Sequence, residues 1–255
     1  MAGIWRPPLK VVWCGTLPYG PTWEWQRRLA ASRASGELAN DVLLLLEHPP
    51  VYTMGKGGSP DHLLVGEEGL REAGAEYFEV DRGGSVTYHG PGQLVGYPIV
   101  NLEELGLDVI EYLRRLEGAL TDSCQLLGVE AFRDPPYTGV WARSGKLAAI
   151  GVRLSSRKVT YHGFALNGTT DLAAFSRIVP CGIEGRTAAS LQGEGASGDC
   201  SPVALAELVA PFVAGALGLR PEWGEMDDLQ DPPVAAPAAG AQVVVGPARG
   251  GGDGS

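Results

Sequence analysis

No stretch of this chain is apolar for anything near the ~18 residues that cross a bilayer; its longest aliphatic run is Val42 to Leu46. That speaks against a membrane-spanning protein. The N-terminus, MAGIWRPPLKVVWC, has no basic start followed by an apolar block and a small-residue cleavage site, so the expected location is the cytoplasm. Cysteine is sparse. Cys14, Cys124, Cys181 and Cys200 form no C-x-x-C pair and have no histidine at ligand spacing, which argues against a metal site and, in a cytoplasmic protein, against a disulfide framework. Positive charge is also short: 20 Lys and Arg stand against 30 Asp and Glu, with no basic helix and no interleaving of bases with aromatics. A nucleic-acid partner is not expected. There is no internal repeat.

What remains is a chain of 255 residues, 44% of them hydrophobic, long enough for a sizeable core. The net charge of -10 is unevenly placed. From Glu222 onward there are six acids and one base, a net of -5; residues 1 to 221 hold the other 24 acids and 19 bases, also -5. After Asp231 the composition is mostly Ala, Gly and Pro, which bury too little apolar surface to offset the cost of ordering the chain. The expected organisation is one domain over residues 1–221 and a disordered tail over 222–255.

Apolar periodicity predicts strands at Lys10 to Cys14, Val42 to Glu47, Glu76 to Asp81, Leu94 to Val100 and Val159 to Leu166. A helix is expected at Trp23 to Ala34, after a Pro-Tyr-Gly-Pro turn, and another at Leu205 to Leu217. The strongest helix runs from Asp108, a good N-cap, to Leu127, with Gly128 as its stop. Its Val109, Leu113, Leu116, Leu120, Cys124 and Leu127 share one face. Thr138 to Ala142 and Leu147 to Leu154 flank Ser144-Gly145, a tight hairpin. Strands joined by hairpins and interrupted by a few helices indicate a single α+β or mixed α/β domain, its sheets packed by helices.

Two stretches are too polar and glycine-rich to be explained by packing. The first is Arg82-Gly83-Gly84-Ser85-Val86-Thr87-Tyr88-His89-Gly90-Pro91-Gly92-Gln93, directly after a strand. It reads either as a hairpin turn or as a loop whose glycines let a ligand approach the backbone. The second runs from Gly139 to Gly185 and contains Cys181 between Pro180 and Gly182. A free thiol is only about 3% thiolate at pH 7, so a nucleophilic cysteine needs a cation or a base beside it. Lys146, at the head of an apolar strand, is the candidate cation, although spacing alone does not join it to Cys181. Cys14 and Cys124 read as small buried hydrophobes and Cys200 as incidental. His89 and His162 read first as hydrogen-bonded structural residues, His48 as a strand-end residue, and His62 carries no signal.

The blocks Glu47 to Gly55, Arg82 to Gln93, Gly145 to Val152, Thr160 to Asn167 and Pro180 to Ile183 resemble the lipoyl(octanoyl) transferase family, over about residues 10 to 220. The resemblance implies a mixed α/β domain similar to biotin and lipoate protein ligases. It implies transfer of an octanoyl or lipoyl group, through a cysteine thioester, as the first step of endogenous protein lipoylation. The donor would be octanoyl-acyl carrier protein; the acceptors would be a lysine of the lipoyl domains of 2-oxoacid dehydrogenase complexes and of the glycine cleavage H protein. Carried over by motif, Cys181 is the nucleophile and Lys146 lowers its pKa. Arg82, Gly83, Gly84, Ser85, Val86, Thr87, Tyr88, His89, Ala149, Ile150, Gly151, Gly163, Phe164 and Ala165 line the acyl pocket. No cofactor is implied.

A thioester is already activated, so such a reaction needs a thiolate, a slot for a linear chain and donors for the oxyanion rather than ATP. The alternatives are an ATP-dependent lipoate or biotin ligase, or a non-catalytic module that binds an acyl carrier. Finally, Gly139 to Ala165 carries Arg143, Lys146, Arg153, Arg157 and Lys158 without an acid, a strip that would steer an acidic partner.

Overall fold

The aliphatic run Val42 to Leu46 becomes a strand buried on both faces, and the rest of the domain is arranged around it. The computed structural model describes residues 6–179 and 186–234; Cys181 and everything beyond 234 lie outside the described residues. Along the chain come β1 (Pro8–Thr16), α1 (Tyr19–Ser35), β2 (Asp41–Glu47), β3 (Val51–Met54), α2 (Gly66–Glu72), β4 (Glu76–Glu79) and β5 (Val86–His89). They are followed by β6 (Gln93–Ile99), α3 (Val109–Leu126), β7 (Val140–Trp141), β8 (Lys146–Leu154), β9 (Thr160–Asn167), α4 (Pro202–Ala216) and β10 (Arg220–Gly224).

A seven-stranded sheet has the order β10-β1-β2-β6-β9-β8-β7, and a three-stranded sheet the order β4-β3-β5. Pairing is parallel from β10 through β1 to β2 and antiparallel from β2 to β7, so the large sheet is mixed, as expected. Leu43 and Leu45 pack in one core with Leu116 and Leu120 of α3 and Leu205 and Val209 of α4. Val42, Leu44 and Leu46 pack on the opposite face with Trp25 and Leu29 of α1. Burial on both faces is why β2 reads as an unbroken apolar run instead of an alternation. No helix among the described residues is long and apolar enough to cross a membrane.

Two expectations need correction. Helix α1 begins at Tyr19 and absorbs the residues assigned to a turn. Pro21 falls in the first helical turn, where a backbone N–H has no intrahelical acceptor, so its absence is harmless. The boundary at 221 falls inside a strand. β10 pairs with β1 from Arg220 opposite Pro8 to Gly224 opposite Val12. Past it Leu229 is buried, and the Trp25 indole donates to Gln230 O at 2.7 Å. The acidic residues from Glu222 to Asp228 therefore belong to the folded domain, because β1 would otherwise present an unpaired edge.

Candidate active site

The strand surface on which the site is built lacks side chains at one facing pair. In the β8–β9 pair Gly151 faces Gly163. A Cβ on Gly151 would lie 2.8 Å from Gly83 O, so the glycine-rich loop rests directly on the strand. Gly83 N–H donates to Val152 O at 3.0 Å. β4 and β5 both flank β3, so the segment from Arg82 to Ser85 crosses between them and is not a hairpin turn. The buried Arg82 guanidinium pins this crossover through Nη2, which donates to Thr53 O at 2.7 Å and Thr53 Oγ1 at 2.8 Å. Asp81, just before it, accepts from His162 Nε2 at 3.0 Å and from the Tyr161 hydroxyl. Burial raises the Asp81 pKa, but the hydrogen bonds from His162 and Tyr161 outweigh it and hold the carboxyl well below its usual range.

Between this loop, the β8–β9 surface and the start of α3 lies a cavity of about 580 Å³, within the ~300–1,000 Å³ typical of ligand sites. Of the residues expected to line an acyl pocket, Arg82 to Thr87, His89, Ala149, Ile150, Gly151, Gly163, Phe164 and Ala165 line this cavity, and Lys146 joins them. Tyr88 is the exception. The two-residue period of β5 turns it away, and it packs against Tyr52 and Phe175. The cavity also takes Tyr19, Tyr97, Val109, Leu113 and the loop Pro136 to Thr138, none of which was singled out from the sequence as lining a site. Val109 and Leu113 did carry a signal, since both lie on the apolar face of α3; the C-terminal part of that face enters the core while its first turn faces the cavity.

The buried imidazoles are satisfied, as their structural reading predicts. His48 Nδ1–H donates to Leu17 O at 2.7 Å, and Nε2 accepts from the Tyr97 hydroxyl at 2.7 Å. Burial pushes its pKa down to about 4. Gln93 Nε2 donates to Tyr88 O and Asn167 Oδ1, which leaves its Oε1 to accept from His89 Nδ1–H at 2.8 Å. Burial keeps His89 neutral, lowering its pKa well below the ordinary value and outweighing the Gln93 hydrogen bond, which acts in the opposite direction. Cys14 and Cys124 are buried, and burial pushes both thiols up to about 12; Cys200, also buried, is raised as well. None of these three can supply a thiolate near neutrality.

Lys146 opens β8 half-buried at one end of the cavity. Its N–H donates to Thr187 O at 2.9 Å, and its carbonyl accepts from Ala189 N at 2.9 Å. On the other side of the 180–185 segment, Val179 N–H donates to His62 O at 2.9 Å. His62 Nδ1 accepts from the Ser85 hydroxyl of the glycine loop at 2.7 Å. The described residues on the two sides of Cys181 are thus tied to the glycine loop and to Lys146. Nothing in its spacing marks His62 for this part. The basic strip, in contrast, is not one patch. Lys146 and Leu154 stand at opposite ends of β8, roughly 26 Å apart at strand rise, with Arg153 beside Asp81 and Arg157 donating to Ala34 O at the far end.

Fold and cavity together define a mixed-sheet domain built round a slot with an apolar wall and a lysine at one end. The sequence comparisons agree with that class. The model of the lipoyl protein ligase A/B catalytic domain matches residues 18–214, and the chain belongs to this family. A relative from Rubrobacter xylanophilus named octanoyltransferase is 51% identical over 181 residues, covering 71% of this chain and 80% of its own. One from Solibacter usitatus with the same name is 54% identical over 169 residues, covering 66% and 76%. Among solved structures, a bi-partite lipoate protein ligase from Thermoplasma acidophilum superposes with a TM-score of 0.65 at 15% identity, over 86% of this chain and 88% of that one. That likeness is one of fold.

Proposed function

We propose that this chain is an acyltransferase that moves an octanoyl group from acyl carrier protein to a lysine of lipoyl domains, with Cys181 as nucleophile and Lys146 as its partner. The cavity carries the reading: a glycine loop laid on the strand at Gly151, apolar walls from Ile150, Val152 and Phe164, and Lys146 at its end. Such a slot suits a linear alkyl chain, and its polar end suits the thioester. In the first half-reaction Cys181 Sγ bonds to the acyl carbonyl carbon, the carbon–sulfur bond to the carrier's thiol breaks, and that thiolate takes up a proton. In the second, the acceptor amine bonds to the same carbon, the bond to Cys181 breaks, and the amine proton leaves to Lys146 or water. The three described cysteines are too deeply buried to compete for the nucleophile's part.

Incubation with octanoyl carrier protein followed by intact-mass measurement tests the reading. An octanoyl adduct is expected that hydroxylamine releases and that Cys181→Ala lacks, together with loss of transfer in that variant. ATP-dependent pyrophosphate exchange, or reversible binding with no adduct, overturns it.

A further inference from the structure

We propose that Trp141 and Gly139 form a socket that positions the Lys146 side chain, with the buried carboxylate of Glu117 setting the socket from the helix behind it. The inference rests on the reading of Lys146 given above and concerns how its ammonium is held. Trp141 of β7 is the cross-strand partner of Lys146 in β8. Its indole is 2% exposed, and Lys146 Nζ stands 5.0 Å from the ring centroid. Gly139, two residues earlier, has φ +129, and a Cβ there would lie 2.5 Å from Lys146 Cε and 2.5 Å from Ala148 O. The lysine stem thus occupies the space a side chain at 139 would fill. Gly139 N–H donates to Glu117 Oε1 at 3.0 Å. Glu117 is fully buried and is itself held by Arg114 at 2.6 Å.

A lysine has four side-chain torsions and a strongly hydrated head, so an ammonium at a cavity mouth samples many positions unless confined. The ring face attracts the cation, and the missing Cβ admits the methylenes; together they narrow that sampling before substrate arrives. The same indole also holds Arg186, whose guanidinium carbon is 5.1 Å from the ring and whose Nη2 pairs with Asp134 at 2.7 Å. Arg186 is the first described residue after Cys181, so one aromatic ring is shared by Lys146 and the chain that follows the proposed nucleophile. Trp141 and Gly139 are positioning residues acting through Lys146.

The test uses full-length protein with Trp141→Leu, Trp141→Phe, Gly139→Ala, Lys146→Ala and the double variant Trp141→Leu/Lys146→Ala. Site-resolved iodoacetamide alkylation of Cys181 is followed against pH, and kcat and KM for octanoyl carrier protein are measured separately. Trp141→Leu is expected to move the alkylation profile upward, in the direction Lys146→Ala moves it. It is expected to cut kcat about tenfold, the scale of one buried cation–π contact, with KM little changed. Gly139→Ala should act in the same sense, Trp141→Phe should recover most of the loss, and Trp141→Leu should add nothing once Lys146 is alanine. If Lys146→Ala moves both readouts while folded Trp141→Phe and Trp141→Leu proteins match wild type, the socket is wrong and the lysine reading survives. If Trp141→Leu costs as much in the Lys146→Ala background as alone, its role is structural and the socket is equally wrong. If Lys146→Ala leaves the alkylation profile unmoved, the lysine reading falls and takes the socket with it.

Discussion

At the residue scale the site is shaped as much by missing side chains as by those present. A Cβ on Gly151 would have Gly83 O at 2.8 Å and Arg82 Cδ at 3.2 Å, so a larger residue there must lift the loop off the strand. Gly151→Val is expected to raise KM for the octanoyl donor at least several-fold and to shift preference toward shorter chains, because it narrows the slot without touching Lys146. A series of acyl donors of graded length checks this, and an unchanged length preference contradicts it. The blocks that carry the family resemblance contain this glycine, and its motif was legible. Its reason was not, since only the tertiary approach of the Arg82 to Ser85 crossover shows what a Cβ would strike. Tyr88 marks the opposite failure: it sits inside the motif, yet strand alternation points it into the core with Tyr52.

At the element scale, α3 serves two masters along one face. Leu116, Leu120 and Cys124 fill the core, while Val109 and Leu113 form the cavity's outer wall. Periodicity finds such a face but cannot say where core ends and cavity begins, because both demand apolar side chains. The wall is the first turn of the helix, so it depends on the N-cap: Asp108 Oδ1 accepts from Glu111 N–H at 2.8 Å. Asp108→Ala is expected to cost about 1 kcal/mol of stability. It should also raise KM more than it lowers kcat, since fraying loosens Val109 while Lys146 lies on another element. Denaturant unfolding and steady-state kinetics on the same variant separate the two effects. Other elements were hidden for physical reasons. The short strands β3 and β5, four residues each, offer too little alternation to register, whereas β7 falls within the predicted hairpin arm Thr138 to Ala142. Trp141 lies in β7 and looks like any core aromatic until its cross-strand partner is known.

At the scale of the whole molecule, the large sheet is closed at one edge by the element the composition disguised. β10 lies in a run whose acids read as part of a tail, yet acidic residues are well suited to an edge strand, where their side chains reach water and discourage pairing with other chains. Glu222 and Trp223 pair with Lys10 and Val11, and Lys10 Nζ meets Asp228 at 2.9 Å. Six residues past the strand, the chain returns over α1 so that Gln230 O accepts the indole N–H of the fully buried Trp25. A chain ending at 221 loses the strand's last three pairings, the cover that Leu229 gives α1, and the acceptor for that indole. A buried donor left without a partner costs about 1–3 kcal/mol by itself. Compared with a chain ending at 234, it is expected to show a Tm lower by several degrees and a greater tendency to aggregate through the exposed β1 edge. Because Lys146 and the glycine loop lie across the sheet from this edge, its kcat at temperatures well below unfolding should match that of the longer chain. Equal Tm values for the two truncations would mean that β10 contributes nothing to the sheet's stability, whatever its pairing.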